Sequence, residues 1–127
     1  MQPEARDPVC ITDMLNAARG VVRSLQGVSL TEYQANQDLR HAVERKMEIM
    51  GEAARRLSDG LREKHPEIPW RAIIGQRNVL IHGYDQVDDE RVWRLAETHL
   101  PALIPMLETV LRELGIADEP SGKADLP

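Results

Sequence analysis

The run PWRAIIGQRNVLIHGY, from Pro69 to Tyr84, decides how this chain is read. Pro69 suits the first turn of a helix, where a backbone N–H has no partner anyway. Trp70, Ile73, Ile74, Leu80 and Ile81 supply a buried face, and Gly83 gives the helix a place to stop. Arg77, Asn78, His82 and Tyr84 are set among these apolar residues. Polar groups in so apolar a helix either have partners or carry out chemistry. At about 100° per residue, Asn78 and His82 share one face, and Arg77 and Tyr84 nearly eclipse. Arg77 and His82 diverge, so they meet at one site only through the length of the arginine and the position of His82 at the helix end. The expected arrangement has Asn78 steadying the His82 ring, with Arg77 and Tyr84 flanking it.

On either side of this helix the pattern is that of a bundle. Ile11, Met14, Leu15, Ala18, Val22 and Leu25 recur at helical steps, which predicts a helix from near Pro8 to about Gln26, ended by Gly27. Ser29 and Thr31 are candidate N-caps, and Thr31 with Gln34 fits a capping box. A long helix follows, from Thr31 or Asn36 to Ser58, with Leu39, Val43, Met47, Met50, Ala54 and Leu57 as its stripe. Gly51 in its middle predicts that something packs closely there. Ser58-Asp59-Gly60 breaks the helix, Leu61–His65 adds a turn, and HPEIPW runs extended before the central helix. Asp88 is a candidate N-cap for a last helical stretch reaching Leu114, which Pro101 must kink or split. No strand pattern is present. The expectation is an all-α fold, an up-and-down bundle of four to five helices over residues 8–115. Residues 1–7 read as a flexible N-terminus and residues 116–127 as a disordered tail.

Composition narrows the function. The chain has 127 residues and a single cysteine, Cys10, which cannot form an intramolecular disulfide and points to a reducing, cytoplasmic setting. No segment reads as a signal peptide or membrane span. The net charge is −5, and the whole deficit lies beyond residue 66, so a local basic cleft remains compatible with phosphate binding. His41, His65, His82 and His99 show no zinc spacing, and neither metal nor cofactor is expected. Glu48 and Glu52 lie four apart on one helix face, where a solvated face beside Arg45, Arg55 and Arg56 is the simpler reading.

Two readings of the Arg77–Asn78–His82–Tyr84 group stand side by side. One is a structural network, with Arg77 paired to Glu52 or Glu48. The other is RNA cleavage without metal. A ribose 2′-OH attacking its adjacent phosphate needs a base, an acid for the leaving oxygen, and positive charge for the transition state. A symmetric dimer would bring two histidines and two arginines into one cleft.

RNVLIHGY resembles the R-x4-H-x-Y motif of the HepT-like toxins, a branch of the HEPN superfamily. GEAARRLS at 51–58, the HPEIPW connector and the VD…VW run at 87–93 resemble the same family, so the likeness spans roughly residues 8 to 114. That resemblance implies an all-α bundle that dimerises through its motif helices. It implies a metal-independent endoribonuclease, the toxin of a type VII toxin–antitoxin pair, with RNA as substrate. Arg77 and His82 match the catalytic positions and Asn78 the polar position beside the arginine. Glu52 and Glu48, from their place on the neighbouring helix rather than from the resemblance, are candidate supporting carboxylates. Tyr84 matches the tyrosine that a minimal nucleotidyltransferase antitoxin modifies with AMP. The alternative is a non-catalytic helical partner subunit of a nucleotidyltransferase.

Overall fold

In a computed structural model of the protein, the described residues are 3–83 and 87–116. Those residues are helical, with no strand among them: α1 (Pro3–Leu25), α2 (Leu30–Ala35), α3 (Gln37–Arg55), α4 (Asp59–Lys64), α5 (Trp70–His82), α6 (Asp89–Arg94) and α7 (Leu100–Glu113). The all-α bundle expected from the periodicity is therefore the fold. α1 packs along α3 and α7, and α3 packs in turn against α5. The core between them is aliphatic, with Ile11, Met14, Val21, Val43, Leu107 and Val110 fully enclosed.

The helix ends follow from local chemistry. Gly27, at φ 74°, turns the chain out of α1, a left-handed conformation that glycine adopts without steric cost. The capping box lies two residues earlier than Thr31 and Gln34 suggest. The Ser29 hydroxyl accepts from the Glu32 N–H, and the Glu32 carboxylate accepts from the Ser29 N–H. Asn36 caps α3 through the Leu39 N–H, and Asp88 caps α6 through the Arg91 N–H. α1 starts at Pro3, not near Pro8. Residues 3–7, expected to be flexible, are helical because Asp7 has a buried anchor. Its carboxylate accepts from the Ser58 N–H at 2.9 Å and the Ser58 hydroxyl at 2.7 Å. Those bonds tie the start of α1 to the turn after α3, which offsets the N–H that Pro8 cannot donate.

Pro101 has its predicted effect in an unpredicted form. Between α6 and α7, residues Leu95–His99 widen into a π-helical turn, and the Leu100 N–H donates to the Leu95 carbonyl. The i→i+5 pattern moves the preceding turn away from the proline ring, so the chain stays helical across the break. Residues 84–86 and 117–127, including the expected tail from 117 onward, lie outside the described residues.

The connector ahead of α5 is fastened at three points. The Trp70 indole N–H donates to the His65 carbonyl at 2.9 Å. The His65 ring, almost fully buried, has Nδ1 3.0 Å from a Glu67 oxygen and Nε2 3.0 Å from a Glu113 oxygen. The second contact lacks the alignment of a hydrogen bond. α5 is thereby set at a fixed start, and its residues are presented in a defined register.

Candidate active site

α5 covers the residues predicted for it, and Pro69 stands just outside as its N-cap residue. Its faces differ from the expected division. Trp70 and Leu80 are buried, and Ile73 and Ile74 are half-buried against the core. Ile81, expected inside, is 38% exposed, and its neighbour Val79 is 44% exposed. The helix ends at Gly83, and in its last turn the described chain covers Val79 and Ile81 only in part.

Gly51 explains how Arg77 is placed. A Cβ added at Gly51 would fall 2.2 Å from the Arg77 Cβ and 3.0 Å from the Ile73 carbonyl oxygen. Only glycine lets the α3 and α5 backbones approach this closely. The close approach that a glycine in mid-helix predicts is thus the seam that holds the arginine. From there the Arg77 guanidinium reaches Glu52 on α3, Nη2 to Oε2 at 3.1 Å, and Asn78 on its own helix, Nη1 to Oδ1 at 2.9 Å. The Arg77 Nε is buried without a hydrogen-bond partner. An unpaired buried N–H costs about 1–3 kcal/mol; the Arg6 Nε, the Tyr33 hydroxyl and the His65 Nε2 are buried without a partner in the same way, so the feature does not by itself mark a site.

Glu52 also accepts from Arg55, at 2.9 Å from Nη2. The Arg55 hydrogen bond is the chief reason the Glu52 carboxyl titrates below its ordinary range, with the charges of Arg55 and Arg77 adding to it. Glu52 is therefore the arginine's partner of the two carboxylates considered, and Glu48 is a half-buried neighbour on the same helix. Asn78 does not take the expected role. Its side-chain oxygen accepts from Arg77, and the His82 ring is exposed at the end of the helix. The physical reason is distance along the chain: Asn78 lies beside a charged donor one residue away, and a charge-assisted hydrogen bond outcompetes a neutral one. Arg77 and His82 thus leave α5 on different sides, one towards α3 and one towards solvent. Tyr84 lies outside the described residues.

Other ionisable groups are absorbed elsewhere. The His65 clasp described above has no motif to announce it, because Glu113 is far away in sequence. His41 and His99 are exposed. Among the described residues, no three metal-ligating side chains converge, and no helix is long and apolar enough to cross a membrane. Tyr33 is fully enclosed, and burial pushes its phenol well above the usual range.

The family model described as Ribonuclease HepT-like matches residues 14–110. The chain belongs to the HepT-like ribonuclease family. Among curated relatives it is similar to "Putative RNase MJ1380" of Methanocaldococcus jannaschii, 35% identical over 77% of this chain and 90% of that protein. "Putative RNase MJ1216" of the same organism is 30% identical over 86% of this chain and 90% of its own length. "Probable ribonuclease HepT" of Thermococcus cleftensis is 29% identical over 73% of this chain and 84% of its own. No solved structure matches the chain. Arg77, Asn78 and His82 all lie inside the matched region, as does Glu52.

Proposed function

We propose that this chain is a metal-independent endoribonuclease that works as a homodimer in the cytoplasm. The reading rests on family membership and on one structural observation: an arginine held by an ion pair to Glu52 and a hydrogen bond to Asn78, with an exposed histidine at the end of the same helix. Arg77 supplies fixed positive charge for the developing phosphorane, and His82 moves the proton. Each chain offers one histidine to a reaction that needs both an acid and a base. A two-fold dimer through α5 would supply the second. The exposed Val79 and Ile81 beside His82 are the apolar surface such an interface would use.

The same reading makes the chain the toxin of a toxin–antitoxin pair, silenced when a minimal nucleotidyltransferase attaches AMP to Tyr84. The chain has two tyrosines, and Tyr33 is enclosed in the core, out of reach of a second enzyme. AMP beside His82 would place negative charge and bulk where an RNA phosphate must enter. A non-catalytic partner subunit is favoured by one observation, the Arg77–Glu52 pair, which occupies the guanidinium. The Arg77 side chain is 19% exposed and that of Glu52 38%, so the pair is open to solvent only in part and a phosphate must displace Glu52 to reach the arginine.

The test is to incubate wild type and Tyr84→Phe with ATP, Mg²⁺ and the nucleotidyltransferase encoded beside the gene, then read intact mass and RNA cleavage in chelator. Wild type should cleave before treatment, then gain one AMP and lose cleavage. Tyr84→Phe should cleave throughout. Wild-type protein that cuts no RNA, while still binding the nucleotidyltransferase, would establish the partner-subunit reading.

A further inference from the structure

α5 contains two arginines and a histidine and no carboxylate, in a chain whose net charge is −5. One of those arginines, Arg71, is exposed and makes no ion pair or hydrogen bond with any described residue. Its place on the helix is informative. Asn78 and His82 follow it by seven and eleven residues, which sets each within about 20° of Arg71 around the helix, on either side of it, and all three are exposed. Along the axis, Arg71 stands about 10 Å from Asn78 and about 16 Å from His82. Between them, on the same face, lies Gly75. A Cβ built there meets nothing within 4 Å, and glycine in mid-helix is destabilising relative to alanine. Packing within the chain therefore gives no reason for a glycine, whereas at Gly51 packing demands one. The result is a bare saddle of backbone with a free guanidinium on one side and Asn78 and His82 on the other.

We propose that Arg71 binds the RNA backbone at a phosphate one or two nucleotides away from the one being cleaved, with the strand crossing α5 over Gly75. The proposal rests on the nuclease reading of His82 and adds a second phosphate contact to it. Arginine suits the role because its planar fork engages phosphate oxygens in pairs and stays charged. The contact tethers substrate and leaves the proton transfer to His82.

The experiment compares wild type, Arg71→Ala and Arg71→Lys on a single-stranded RNA twelve-mer and on a dinucleotide, from 50 to 200 mM salt. Anisotropy of the labelled twelve-mer and light scattering are measured alongside. For the twelve-mer, Arg71→Ala should raise KM roughly tenfold with kcat unchanged, and Arg71→Lys should recover most of the loss. The slope of log affinity against log salt should become shallower by about 0.7, the value for one lost phosphate contact on a single strand. The dinucleotide carries only the scissile phosphate, so its kinetics should not respond. Unchanged KM and salt slope on the twelve-mer would overturn the proposal. So would an equal loss on the dinucleotide, which would put Arg71 at the reacting phosphate, or a shift from dimer to monomer, which would make it an interface residue. If wild type cleaves neither RNA, the nuclease reading fails, and the anisotropy slopes alone decide whether Arg71 binds RNA.

Discussion

The arginine–glutamate pairs Arg19–Glu108 and Arg77–Glu52 each cross a helix seam, and their surroundings differ. Arg19 on α1 meets Glu108 on α7 at 2.6 Å, over a seam of closely packed aliphatic side chains. Arg77 on α5 meets Glu52 on α3 at 3.1 Å, over a seam that closes only because residue 51 has no side chain. Beside the first pair, Ala18 and Val21 on α1 and Leu107 and Val110 on α7 are enclosed. Beside the second, the guanidinium also takes an acceptor from its own helix and leaves Nε unpaired, and the carboxylate is shared with Arg55. Beyond it the last turn of α5 leaves Val79 and Ile81 partly exposed on its two flanks and His82 exposed between them. The first pair braces a finished core. The second holds a charge in place next to a face the bundle itself does not cover.

If that contrast is correct, substitutions on the two seams should fail in different ways. The largest effect belongs to His82→Ala. The ring is exposed, so thermal stability should stay within a degree or two while RNA cleavage falls by about 10²- to 10⁴-fold. Next is the direct comparison of arginines. Arg77→Ala should lower kcat by about 10²- to 10³-fold, the loss typical of one transition-state donor. Arg19→Ala should leave kcat alone and lower the melting temperature. Equal losses of kcat in the two variants would erase the distinction.

Gly51→Ala probes the seam itself. The added methyl meets the Arg77 side chain and the Ile73 carbonyl. Overpacking of this kind costs about 1–3 kcal/mol, against the roughly 1 kcal/mol that alanine gains over glycine in a helix. Urea denaturation should show a net loss for Gly51→Ala, and Gly75→Ala should show a gain, since nothing crowds that position. A stabilised Gly51→Ala would mean that α3 and α5 are not in close contact.

The smallest effect is in pH. Arg55 and Arg77 hold the Glu52 carboxyl below its ordinary 4.5. A depressed carboxylate contributes stability above its unfolded pKa, and that contribution fades as pH falls through the lower folded value. Stability measured from pH 6 downward should therefore keep this small contribution to below 4.5 and then lose it. Glu52→Gln should lack that component, because its amide does not titrate. Parallel acid profiles for the two proteins would show that the pair contributes nothing to folding.

How far the sequence anticipates all this depends on the range of the interaction. Local rules were readable. The α5 span, the Asp88 cap, the Gly27 stop and the disruption at Pro101 depend on residues within a turn of one another. Gly51 was readable as a place of close approach, and its cost in a helix was the signal. What it approaches was not, because Arg77 lies far along the chain. Asp7 and Ser58 illustrate the same difficulty: a buried carboxylate near the N-terminus looks like any charged residue until its partner arrives. Ile81 misled because periodicity reports which residues are apolar, not how far the neighbouring helices extend to cover them. In the candidate site, the residue types were legible and so was the pairing of Arg77 with a carboxylate of α3, which the structure assigns to Glu52; the role of Asn78 was not. Asn78 looked like a support for His82 by spacing, and the adjacent guanidinium claims it instead.

The central claim is that the outward face of α5 meets RNA while the α1–α7 seam does not. It is tested most directly by titrating ¹⁵N-labelled protein with an uncleavable RNA analogue carrying 2′-O-methyl groups and mapping the chemical-shift changes. The account predicts saturable changes at Arg71, Gly75, Asn78, Val79 and His82 and at the Arg77 side chain, with Arg19 and its neighbours on α1 and α7 unmoved. Changes confined to α1 and α7, with α5 silent at saturating RNA, would contradict it.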